Sequence, residues 1–129
     1  MNKIIVEVSI GELLDKISIL EIKQGKIKDQ EKLKFINNEY SILKNQLENN
    51  VKSDERLGSL YQSLKEINAK LWVIEDDKRQ CEKDKDFGKK FIKLSRDVHF
   101  LNDDRAKIKL EINNHTGSVI EEIKEYTSY

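Results

Sequence analysis

No proline interrupts this chain of 129 residues, and apolar side chains recur every three or four positions over most of its length. Nothing in the backbone therefore stops long α-helices, and the spacing demands them. The reading is mainly α: an antiparallel bundle of about four long helices in a single domain spanning 1–129, because short connections make successive helices antiparallel neighbours. No repeat, low-complexity block or long linker divides the chain. Ser9-Ile10-Gly11-Glu12 reads as a capping box that opens a first helix from about Ile10 to Lys28. Asp29 caps a second, from Gln30 to about Glu48, with Leu33, Ile36, Tyr40, Leu43 and Leu47 along one face. Ser53 or Asp54 caps a third, which carries Leu57, Leu60, Leu64, Ile67, Leu71 and Ile74 to about Glu82. Those six residues also fit about three heptads, a seam that suits pairing between subunits. The fourth helix begins near Phe87, runs along Phe91, Leu94, Val98, Leu101, Ile108 and Ile112, and stops at His115-Thr116-Gly117. Leu57, Leu64, Leu71, Leu94, Val98, Leu101 and Ile108 are expected in one core.

The ends read differently. Lys3 to Val8, KIIVEV, is a β-branched run that suits a strand or an extended arm. In the segment Ser118 to Tyr129, Ser118-x-x-Glu121 permits a short capped helix, whereas Tyr126 and Tyr129 suit a strand beside KIIVEV in a short terminal β-ribbon.

Charge and composition remove several function classes. The 24 basic residues balance the 24 acidic ones, and no basic stripe or row of aromatics surrounds Trp72, so nucleic acid is not an expected partner. No run of 18 apolar residues exists for a membrane span, and the amino-terminal stretch meets acidic residues too soon for a secretory signal. The lone Cys81 cannot form an intramolecular disulfide, so the cytoplasm is the expected compartment. Glycine-rich phosphate loops and the hydrolase nucleophile elbow are absent, and His99, His115 and Cys81 have no zinc spacing.

What a plain scaffold would not need is charge inside the apolar arcs. On helical wheels Glu21 projects into the arc of the first helix, and Asn68, Glu75, Arg79 and Glu82 continue the stripe of the third. Arg105 sits at the centre of the fourth, with Asn102 at one margin. Unpaired buried ions cost several kcal/mol. The expectation is therefore a shared network in which Glu21, Glu75 and Glu82 neutralise Arg79 and Arg105, with Asn68 and Asn102 closing the remaining donors and acceptors. Arg105 should lie within salt-bridge distance of Glu21, Glu75 or Glu82. Such a network either fixes helix register or forms a ligand site. Glu12 and Asp15, one helical turn apart, are weaker candidates for holding Mg²⁺, since Glu12 has a capping role and Asp15 has lysines nearby. Glu121-Glu122 is a similar acidic pair, read as a solvated face.

The stretches VEVSIGELLDKISILEIKQGKI, LWVIEDDKRQCEKDKDFGKKF, NDDRAKIKLEIN and GSVIEEIKEY together resemble the domain of unknown function 6165, a family of short bacterial and phage proteins. The resemblance spans nearly the whole chain. Its pattern falls on Gly11, Glu12, Asp15, Lys16, Glu21, Asn68, Trp72, Glu75, Asp76, Arg79, Glu82, Asn102, Asp103, Arg105 and Gly117, among others; the tail has one more residue between its acid pair and Lys124. The resemblance implies a small, mainly helical protein, and an association with surface-polysaccharide assembly or phage biology, without an established activity. Two functions follow as expectations. The first is an accessory or protein-interaction module with a protein partner or self-association. The alternative is a small Mg²⁺-dependent or anion-binding enzyme acting on a nucleotide or on a phosphorylated or carboxylated metabolite, with Arg79 and Arg105 clamping the anion and Glu12, Asp15, Glu75 or Glu82 binding Mg²⁺ or acting as general base. Access separates them: a scaffold network is sealed by Leu71, Trp72, Leu101 and Ile108, whereas a site keeps an open pocket with spare guanidinium donors.

Overall fold

The computed structural model describes residues 2–120 and 122–129. Four helices follow one another: α1 (Ile10–Lys26), α2 (Gln30–Asn50), α3 (Glu55–Asp84) and α4 (Lys89–Thr116). Each boundary has a local cause. Ser9 Oγ accepts from the Glu12 N–H at the start of α1, and Asp29 accepts from Glu31 and Lys32 at the start of α2. Of the two candidate caps for α3, Asp54 is the one used, accepting from the Leu57 N–H at 2.8 Å. Ile27 and Val51 leave their helices in extended conformation. Gly117 ends α4 in the left-handed region, where a residue without Cβ is at ease. Lys85 ends α3 in the same region, with φ 56°.

α3 and α4 form a long antiparallel hairpin. At its open end Asp54 meets His115 and Arg56 meets Glu111; near its tip the Lys78 ammonium lies over the Phe91 ring. α1 lies obliquely across the open half of this hairpin. Its first turn is bonded to α4, its middle to both helices, and its later residues to α3 and α2. α2 folds back on α1, the one helix its backbone runs close to among the described residues, and Leu47 near its end reaches the edge of the core. Leu14, Leu57, Leu60, Leu64 and Ile112 form the buried core, with Ile10, Leu47, Val51, Tyr61 and Ile108 around it.

The expected core was too long. Leu57 and Leu64 are buried, but Leu71, Leu94, Val98 and Leu101 are only partly so. α1 covers one half of the hairpin, and in the other half two helices have only each other, which cannot enclose a core. Among the described residues there is no strand. Residues 2–8 are irregular, with Ile4, Ile5 and Val6 exposed, so the terminal β-ribbon does not form. The far end of the tail instead follows α4: the Tyr129 ring stands edge-on to Phe100 at 5.5 Å, and its hydroxyl donates to Asp103. Ser118 is not helical, and Glu121, on which the alternative short helix depended, lies outside the described residues. No helix among the described residues is long and apolar enough to cross a membrane.

Candidate functional site

Gly11, Asp15, Ser18 and Ile22 share one buried stripe of α1, at spacings of four, three and four that place them above one another. The two small residues let α1 approach its neighbours closely, and Asp15 fills the space between. At Gly11 the approach is backbone to backbone, since an added Cβ would lie 2.6 Å from the Lys109 carbonyl oxygen. The first three amides of α1 are all taken by side-chain oxygens. Ile10 donates to Ser118 Oγ at 3.1 Å, Gly11 to Asn113 Oδ1 at 2.7 Å, and Glu12 to Ser9 Oγ at 3.0 Å. The start of α1 is thus stitched to the end of α4.

Asp15, 2% exposed, is the centre of the polar interior. Its Oδ1 accepts from Asn68 Nδ2 at 2.8 Å and from Arg105 Nε at 2.9 Å; its Oδ2 is paired with Arg105 Nη2 and lies 3.9 Å from Lys109 Nζ. Burial pushes the Asp15 carboxyl upward. The bonds from Arg105 and Asn68, with the charges of Arg105 and Lys109, outweigh this and hold it below its ordinary value. The bond to Asp15 keeps the Arg105 cation above its ordinary value, against the opposing effect of burial; burial lowers Lys109 too, but its bonds to Glu12 and Glu122, with the charge of Asp15, hold it above its own. Asn68 gives its second amide hydrogen to Ser18 Oγ at 2.7 Å, and that hydroxyl donates to the Asp15 backbone carbonyl. Lys109 extends the cluster to Glu12 at 2.6 Å and Glu122 at 3.1 Å.

Glu21 belongs to a separate cluster. It accepts from Tyr40 at 3.1 Å and from the Tyr61 hydroxyl, and lies 3.4 Å from Lys65. Partial burial opposes ionisation, but these partners win and lower the carboxyl; burial and the same carboxylate raise the Tyr61 phenol.

The expected network is therefore corrected in its pairing. Arg105 is paired, but with Asp15, not with Glu21, Glu75 or Glu82. Glu21 faces the tyrosines because α1 turns it toward α2 and the open end of α3. Glu75, Arg79 and Glu82 are exposed, since this half of α3 has passed beyond α1. None of the three is in an ion pair among the described residues. Asn102 accepts from Arg105 Nη1 at a long 3.5 Å. Glu12 and Asp15 face Lys109 and Arg105, so their charge is met by fixed cations. Among the described residues no three His, Cys, Asp or Glu side chains converge as metal ligands would.

Four of the expected residues nevertheless come together. Asn68, Glu75, Arg79 and Arg105 line an open groove of about 460 Å³ with Ile19, Ile22, Leu71, Trp72 and Asp76. Leu71 and Trp72 form its wall and do not seal it. At the floor, Asn68 has spent both amide hydrogens, and its Oδ1 accepts no bond among the described residues. No fully buried side-chain polar atom among the described residues lacks a partner, so this oxygen keeps some contact with solvent. Arg105 gives Nε and one hydrogen of Nη2 to Asp15, while Nη1 has only the long contact to Asn102. A second cavity, about 500 Å³ between the start of α1, α4 and the tail, is lined by Glu12, Lys109 and Glu122, which pair with one another, and by Arg105, Lys107 and Lys124 among others.

Residue reasoning does not place Asp15 in the shared charge network and passes over Ser18, Lys109 and Asn113. The usable signal was the small-acid-small series Gly11, Asp15, Ser18 on a single helical stripe, which marks close approach around a buried charge. Comparison with curated proteins finds no match, and neither does comparison with solved structures. A family profile does match, over residues 4–129. The chain belongs to the family of unknown function DUF6165.

Proposed function

We propose that this chain is a small-ligand-binding module whose site is the groove between α1, α3 and α4. The observation that carries the reading is the floor: Asn68, whose Oδ1 accepts no bond among the described residues, and Arg105, both held by the buried Asp15, line the open groove beside Trp72. A network serving only helix register would spend those groups on the protein. Groove volume and lining suit a small metabolite, with apolar walls and a few convergent polar groups. Arg79 and Arg105 supply the anion-recognising edges, and Glu75 and Asp76 at the rim supply carboxylates able to accept a proton or a hydrogen bond. Mg²⁺ has no part in this reading, because Glu12 and Asp15 are held by Lys109 and Arg105.

A thermal-shift screen of nucleotides, sugar nucleotides, amino acids and small carboxylates tests it. A compound present at 100 times its Kd adds about 2.7 kcal/mol of stability, a readily measured rise in Tm. Arg79→Met should abolish the shift without disturbing the fold, since Arg79 is exposed and unpaired. A hit unaffected by Arg79→Met and Trp72→Ala would place binding elsewhere and remove the reading.

One observation favours an interaction role beside it. On the half of the hairpin that α1 leaves uncovered, Ala69, Val73, Ile74, Phe100 and Leu101 line an almost wholly apolar depression of about 610 Å³, the kind of surface that pairs with another protein or a second copy. Under that reading, mass measurement across a concentration series gives an oligomer that Val73→Glu converts to monomer. A monomer at all concentrations, with no partner retained, counts against it.

A further inference from the structure

The geometry points to a zwitterion as the ligand of the α1/α3/α4 groove: the adjacent ammonium and carboxylate of a free α-amino acid with an apolar side chain. This rests on reading the groove as a ligand site, and it names the chemistry that site selects.

The floor comes first. Asn68 Nδ2 and Arg105 Nε donate to the same oxygen, Asp15 Oδ1, at 2.8 and 2.9 Å. One carboxylate thus holds the asparagine amide and the guanidinium side by side. What remains for a ligand is an acceptor on Asn68, its Oδ1, and N–H donors on Arg105, those of Nη1 and the second of Nη2. A ligand answering both carries a donor and an acceptor, as the ammonium and carboxylate of an α-amino acid do. Asp15 touches no ligand in this arrangement; it is a positioning residue.

The rim repeats the pattern. Glu75 and Arg79 are four residues apart on α3, on one face of the helix, and both line the groove. Opposite charges at this spacing commonly pair, yet neither is in an ion pair among the described residues, so both side chains are free to turn to a ligand. Over the whole lining, Glu75 and Asp76 balance Arg79 and Arg105. A simple anion would meet two carboxylates and an arginine already offset by Asp15; a simple cation would meet two guanidinium groups. A dipolar ion with no net charge meets complementary charge at both ends. Ile19, Ile22, Leu71 and Trp72 then give its side chain an apolar wall.

Three probes of one shape test this: L-phenylalanine, phenethylamine, which lacks the carboxylate, and 3-phenylpropanoate, which lacks the ammonium. Titration calorimetry of the full chain at neutral pH, with thermal shift in parallel, is expected to show binding of L-phenylalanine at least tenfold tighter than either analogue. Glu75→Gln should weaken L-phenylalanine more than 3-phenylpropanoate, and Arg79→Met should weaken it more than phenethylamine. Circular dichroism identifies any variant that has unfolded, and the probe comparison on the unaltered chain stands without the variants. If either singly charged analogue binds as tightly as L-phenylalanine, the zwitterion is wrong while the groove remains a ligand site. If all three are inert but another compound of the screen binds through Arg79, the inference falls and the reading beneath it survives. If no compound binds, both fall.

Discussion

Gly11 has no space for a side chain, and its neighbour in the same helix, Gly25, has nothing within 4 Å of where a Cβ would stand. The two make a controlled pair. Gly11→Ala must push α1 off the α4 backbone and strain the bond to Asn113, so a loss of about 1–3 kcal/mol is expected in urea unfolding. Gly25→Ala, an exposed helical position, should instead raise stability by up to about 1 kcal/mol. Asp15 carries the next consequence. Its carboxyl lies lower in the fold than its ordinary value of 3.8, so the fold favours the ionised form. That contribution is complete above about pH 4 and is lost as the pH falls through the lower, folded value. Asp15→Asn should therefore flatten the acid limb of a stability-against-pH curve, and a parallel, unflattened curve would show that Asp15 does not carry it. Arg105→Ala leaves a buried carboxylate with Asn68 and a more distant Lys109, and should cost about 3 kcal/mol by the same urea measurement.

At the scale of elements, α2 is the loosest part. Among the described residues its backbone runs close to α1 alone, and Ile36 is its only buried residue, so few contacts oppose its local opening. Amide hydrogen exchange should find α2 opening before the buried half of α3; equal protection would refute this. Helix number, order and most caps were legible because Ser9, Asp29, Asp54 and Gly117 act on their own nearest amides and carbonyls, which sequence displays directly. Pairing was not legible. A wheel shows which face of a helix is apolar, but not which helix covers it or for how many turns. Glu75, Arg79 and Glu82 continue the stripe of Leu57 and Leu64, yet α1 ends its coverage before reaching them, so the same stripe is core in one half of α3 and groove or solvent in the other. Arg105 was correctly read as needing a partner. The partner was missed because the oblique course of α1, which brings Asp15 to it, depends on contacts between residues about ninety positions apart. KIIVEV has the composition of a strand, but composition supplies no second strand, and the end of the tail lies against α4 instead.

For the molecule as a whole, one architectural asymmetry governs the rest: α1 closes one half of the α3/α4 hairpin, and the boundary of that coverage is where the groove opens. Under the proposed function, stability and binding meet at Asp15, which ties three helices together and holds Asn68 and Arg105 in the groove lining. A variant there should change melting and ligand affinity together, whereas Arg79→Met should change affinity alone; differential scanning calorimetry with and without ligand separates the two. The stitching of α1 to α4 bears also on the order in which the chain can be completed. The acceptors for Ile10 and Gly11 lie 108 and 102 residues further along, so during synthesis α1 leaves the ribosome long before they exist. Folding must then wait for the carboxyl-terminal helix to emerge. Nascent chains arrested before Asn113 is exposed should be cut readily by protease within α1, and release should protect them in a single step.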